Sequence, residues 1–205
     1  MKYFYDNTLN SDKFGILKKT IGKELSSIYT ETLLTENINN PNNAHILLSF
    51  NDSNLSLHIK EEYSVFKGSN EEFTCFDFDF VDKKDFIPYA GITHIIEGKA
   101  VFKPFSWNKF RISGMIECIE IFRDYAEWDY GENTWNVISD VAIKFKTHND
   151  NILMLLTDIS PLYIPIYINS QKSDFEIINS IWNNNSWGIL GTSLKNMKRE
   201  KIKIE

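Results

Sequence analysis

The feature that most constrains this chain is strict alternation of apolar and polar residues, set within a pattern that recurs. Leu55, Leu57 and Ile59 alternate with Ser56, His58 and Lys60, and Phe76, Phe78 and Phe80 alternate with Asp77 and Asp79. A period of two sends successive side chains to opposite faces of a strand, so such runs call for a sheet with one dry and one wet face. The segment Gly22-Lys23-Glu24-Leu25-Ser26-Ser27-Ile28-Tyr29 is followed by an Asn-rich gap, then by two strand-like runs, 44–50 and 54–60, joined by Asn51-Asp52-Ser53. Ser113 to Phe122 carries Ile116 and Ile119 at the spacing of Leu25 and Ile28. It too leads through a polar gap to a pair of runs, 141–146 and 152–158, joined around His148-Asn149-Asp150. Gly191, Leu194 and Met197 repeat the spacing once more. The pattern predicts one compact domain, 1–205, composed of two related strand–loop–hairpin halves, 1–88 and 89–205.

Further strands are predicted at 73–81, 93–96, 99–102, 110–122, 137–146, 152–157 and 163–168, with Pro161 and Pro165 restricting the last to a sheet edge or a strand start. Ser11-Asp12 reads as the cap of a short helix to about Thr20, weakened by Gly15. A second helix is better signalled. Ser173-Asp174-Phe175-Glu176 is a capping box, and Ile177, Ile178, Ile181 and Trp182 make one apolar stripe before Asn183 to Asn185 end it. The expected fold class is a β-rich α+β fold of antiparallel sheets or a partly open barrel, with one well-signalled helix near 173–183. Lys195 to Glu205, five bases against two acids, reads as a solvated tail.

A chain of 205 residues, 42% hydrophobic and 24% charged, is large enough to bury a core. Its net charge of -6 argues against general nucleic-acid binding, which needs a positive field to displace counterions. Cys75 and Cys118 make no C-x-x-C pair and read as buried thiols. His45, His58, His94 and His148 lack zinc spacing, and no G-x-S-x-G, P-loop, H-E-x-x-H or dinucleotide-binding glycine pattern occurs. Neither a metal nor a cofactor is expected. With no signal-like apolar stretch and no run of about 20 apolar residues, the expectation is a soluble, cytoplasmic protein.

The most suggestive segment is Glu117 to Trp135. Between Glu117 and Glu132 stand six acids and one base, Arg123, with Phe122, Tyr125, Trp128 and Tyr130 among them. Gly131 and Asn133 suggest that 124–136 is a protruding loop, on which rigid rings and carboxylates together suit the capture of a basic protein. The expected contact residues are Asp124, Glu127, Trp128, Asp129, Tyr130 and Glu132. In composition the chain is similar to bacterial immunity proteins: small, acidic, rich in Asn and Ile, β-containing and without catalytic motifs. That likeness, which covers no motif, implies a non-catalytic inhibitor of a cognate toxin domain. Two alternatives stand beside it. One is a hydrolase-like enzyme whose site joins Asp77, Asp79 and a histidine from distant positions. The other is a phage or secretion accessory protein that self-associates through strand edges.

Overall fold

The computed structural model describes residues 1–30, 45–66, 69–81, 91–96, 99–104, 108–157, 164–183 and 193–205. In chain order the elements are β1 (Lys2–Asn7), α1 (Ser11–Lys18), β2 (Glu24–Thr30), β3 (His45–Phe50), β4 (Asn54–Phe66), β5 (Ser69–Val81), β6 (Gly91–Ile96) and β7 (Lys99–Pro104). There follow β8 (Asn108–Tyr130), β9 (Asn133–Thr147), β10 (Asn151–Leu155), β11 (Ile166–Ile168), α2 (Asp174–Ile181) and β12 (Ser193–Ile204). The fold is β-rich α+β, built on one large open sheet. Its order is β11-β10-β9-β8-β2-β3-β4-β5, with β12 antiparallel to β8 and β1 parallel to β9. The β6–β7 hairpin forms a second, two-stranded sheet.

The 23-residue β8 is the spine. Its first part pairs with β2, and from Ile116 onward it pairs with β9; β12 lies along it from Ile119 to Asp129. The two segments that recur in the sequence meet here. Leu25 stands opposite Gly114, the Gly22 N–H donates to the Ile116 carbonyl at 2.8 Å, and the Ile116 N–H donates to the Lys23 carbonyl at 3.0 Å. Gly114 has no room for a side chain, since a Cβ would sit 2.9 Å from both Cβ and Oγ1 of Thr147. The hairpin turns fall at 51–53 and 148–150, as the alternation predicts.

Three local expectations are corrected. Residues 124–136 form no loop: β8 and β9 run on to a two-residue turn, Gly131-Glu132, because the polar residues there alternate with buried apolar ones. The basic C-terminal segment is strand β12 and not a solvated tail, since Ile202 and Ile204 alternate with its lysines and stand opposite Ile121 and Ile119. The cap of α1 is Asn10, whose Oδ1 accepts from the Lys13 N–H at 3.0 Å, and the helix forms despite Gly15. The capping box of α2 is present, with the Ser173 N–H donating to Glu176 at 2.8 Å; the helix ends at Ile181, short of Asn183. The Asn-rich gap at 36–43, the boundary expected between the two halves at 88/89 and Pro161 lie outside the described residues.

One apolar cluster runs from Leu9 to Ile204 and includes Leu25, Ile28, Leu48, Phe50, Phe78, Ile121 and Phe145. The sheet bends until β5 comes against β1, β9 and α1. There the buried Asn7 side chain donates to the Thr74 carbonyl on β5 and to Ser139 Oγ on β9, the latter at 3.2 Å. Lys13 on α1 donates to the Phe78 carbonyl at 2.8 Å. Among the described residues β5 pairs only with β4, and these side chains bond its carbonyls from β1 and α1.

Candidate functional site

Strand alternation sorts the acidic–aromatic segment onto two faces. Four strands stand side by side here, and their registers define rows. On the inner face the rows are Tyr3–Trp135–Trp128–Leu194, Tyr5–Val137–Ala126–Met197 and Asn7–Ser139–Asp124–Arg199. On the outer face they are Phe4–Asn136–Glu127–Asn196 and Asp6–Ile138–Tyr125–Lys198, with Lys2–Thr134–Asp129–Ser193 next to the turn. Of the six residues expected to make one surface, Asp124 and Trp128 therefore point inward, while Glu127 and Asp129 point outward. Glu132 is exposed in the turn, where its carbonyl accepts from the N-terminal ammonium. Tyr130 is the last residue of β8, opposite Asn133.

The inward pair is structural. Trp128 is 5% exposed and stacks on Trp135 with the ring planes 4° apart. Asp124 is fully buried. Arg199 meets it with two parallel donors, Nε at 2.5 Å and Nη2 at 2.6 Å, and also donates to the Trp182 carbonyl and to Asn179 Oδ1. This ion pair ties β12 and the end of α2 to β8. Phe175 meets Phe122 edge-on, Lys144 grips Asp174, and the Trp182 indole donates to the Leu156 carbonyl, so α2 is held down along its length.

The outward pair is partly neutralised by the same strand. Lys195 lies 2.7 Å from Asp129 and 3.8 Å from Glu127. Hydrogen bonds from Lys195 and then Thr134 hold the Asp129 carboxyl below its usual range, and the hydrogen bond to Asp129 raises the Lys195 ammonium. Deeper in the sheet Glu120 meets Lys201 at 3.2 Å and Lys146 at 3.7 Å, and Arg123 meets Asp140 at 2.7 Å. With Lys195 and Lys198 beside Glu127 and Asp129, the outer wall is mixed in sign. Its conspicuous apolar group is Phe4, 67% exposed on the edge strand β1.

A second cluster forms on the polar face of β3–β4–β5, where His45, His58 and Asp77 stand in one row. His58 Nε2 lies 3.2 Å from Asp77 Oδ2, and the His45 and His58 ring centroids are 5.7 Å apart. Lys13 bonds to Asp77 and lies 3.5 Å from Asp79. Burial lowers the affinity of His58 for a proton and outweighs the opposing pull of Asp77. For Asp77, burial acts upward, but the Lys13 ammonium leaves the carboxyl below its usual range. The structure thus brings together Asp77, Asp79 and a histidine. Among the described residues no group of three or more His, Cys, Asp or Glu has metal-holding geometry. Neither Cys75 nor Cys118 is in a disulfide; Cys118 is buried as expected, whereas Cys75 is half-buried.

Sequence reasoning missed Arg199, Lys195 and Phe4. The first two sit in a segment whose charge balance was visible, and strand alternation with Ile202 and Ile204 was the signal that it pairs. No family model, curated protein or solved structure matches this chain. No helix among the described residues is long and apolar enough to cross a membrane.

Proposed function

We propose that this protein is a non-catalytic protein-binding module of the immunity type, which neutralises a toxin domain by docking it on the outer wall of β1–β9–β8–β12. The observation that carries the proposal is the exposure of Phe4 in a row with Glu127, flanked by Tyr125 and Asp129. An exposed ring ringed by polar and charged groups is the composition of a protein contact. The net charge of -6 favours a basic partner through steering, while the contact itself is mixed in sign. Of the expected contact residues, Glu127 and Asp129 remain available to a partner that displaces Lys195. Asp124 and Trp128 support the wall from beneath.

The test is affinity capture from the native extract with four baits: the natural chain, Phe4→Asp, Glu127→Lys, and Asp12→Lys on α1 as a charge control. A protein retained by the natural chain and the control but lost by the two wall variants supports the reading. A captured set identical across all four baits overturns it. The pairing of His58 with Asp77 favours a second reading, an enzyme with a site joined across strands. Hydrolysis of simple ester or phosphate substrates that disappears in His58→Ala would support that reading instead.

A further inference from the structure

We propose that His45 and His58 form a two-imidazole chelate for a divalent transition-metal ion, of which zinc is the test case, with Asp77 orienting His58 from behind. The two histidines are direct partners across the β3–β4 ladder, and Asp77 is the partner of His58 across β4–β5. The ladder fixes all three backbone positions, and β4 is held on both sides along this row.

The ring separation fits the chemistry. A zinc ion sits about 2.0–2.1 Å from a ligating imidazole nitrogen, which places it roughly 3.2 Å from the ring centroid. Two rings sharing one ion therefore have centroids at most about 6.4 Å apart, and closer when the angle at the metal is bent. The observed 5.7 Å falls inside that span. The rings stand tilted at 35°, and rotation about their side-chain bonds has to bring one nitrogen of each onto a common point.

The carboxylate supports the same assignment. Ligating histidines characteristically give their other ring nitrogen to a carboxylate, which fixes the tautomer and raises the basicity of the ligand. Asp77 holds that place on His58 Nε2 at 3.2 Å, leaving Nδ1 for the ion. Asp77 is itself held by Lys13, so the orienting group is fixed in turn. No third protein ligand stands at coordinating distance among the described residues, so water completes the shell. Imidazole donors suit zinc, copper and nickel and select against magnesium and calcium, which prefer oxygen. The chelate is independent of the outer wall, whose residues lie on other strands.

The experiment titrates zinc chloride into the full chain at neutral pH, with calorimetry for affinity and the imidazole signals of the four histidines followed by magnetic resonance. The expected result is one zinc per chain with the signals of His45 and His58 perturbed together. His45→Ala and His58→Ala should each weaken binding at least tenfold, and Asp77→Asn about 10- to 100-fold, the range for loss of an orienting partner. His148→Ala should change nothing. Absence of binding up to millimolar zinc overturns the proposal, as does binding that perturbs other histidines or survives His45→Ala. If Asp77→Asn loosens the fold, the signals of the natural chain still decide the matter.

Discussion

Neutralising Asp124 should destabilise the whole fold and not merely one contact. The carboxylate is fully buried and accepts two charge-assisted bonds from Arg199, whose side chain is itself 5% exposed and also serves the Trp182 carbonyl and Asn179. Asp124→Asn keeps the shape but leaves a guanidinium buried beside a neutral amide, a loss of about 3–5 kcal/mol for breaking a buried pair. Against the roughly 5–15 kcal/mol that holds a domain folded, that is a large fraction. Arg199→Met should cost a similar amount, because it strands the carboxylate. The double variant Asp124→Leu/Arg199→Met removes both charges together. It should cost only about 1–3 kcal/mol, chiefly from the Trp182 carbonyl left without its donor. Urea denaturation followed by tryptophan fluorescence measures all three, with a constant slope as the check that the unfolded state is unchanged. Single variants within about 1 kcal/mol of the natural chain would refute the reasoning, as would a double variant equal to the sum of the singles. A purely partner-facing Asp124 predicts the opposite outcome, weaker binding at unchanged stability.

The remaining predictions concern packing. Gly114→Ala should destabilise by about 1–3 kcal/mol. Thr147 cannot yield, because its Oγ1 accepts from the Asp150 N–H at 2.9 Å within the turn; a full-strength urea midpoint would contradict this. Gly15→Ala should stabilise by about 0.5–1 kcal/mol, since a helix-interior glycine costs entropy and the space beside it is open. A lowered thermal midpoint would show that reasoning to be mistaken. Among the described residues the buried Trp128 indole N–H has no acceptor. Trp128→Phe, which keeps a ring against Trp135 and removes the unsatisfied donor, should therefore cost far less than the roughly 3–5 kcal/mol of Trp128→Ala, and equal losses would count against it.

The elements that alternation or capping specifies were legible in the sequence. The hairpin about 51–53 and the capping box at Ser173 depend on neighbours in the chain, and local chemistry decides them. The segment around residue 128 was harder because its fate is set by a strand some seventy residues away. Counting acids and rings in a window ignores the period of two. Once residues 124–130 are strand, Asp124 and Trp128 must part company from Glu127 and Asp129, whatever their shared chemistry. The same period could have identified the C-terminal segment as a strand. Its lysines mask that signal by lowering the mean hydropathy of the stretch.

The two most strongly charged stretches of the chain are therefore one another's partners. The acidic run on β8 and the basic run on β12 meet at Glu120–Lys201, Asp124–Arg199 and Asp129–Lys195, the middle pair covered and the lysines on either side of it part-exposed. The inner pair lies out of water, where charges left single would be costly, so it favours this register of β12 over a slipped one. The outermost pair is part-exposed and contributes little to stability, as surface pairs generally do. A docking protein can therefore take Asp129 from Lys195 at small cost, but it can take Asp124 from Arg199 only by opening the fold. Any partner that recognises this chain by charge should accordingly act at the turn end of β8, on Glu127 and Asp129, and leave the buried pair untouched.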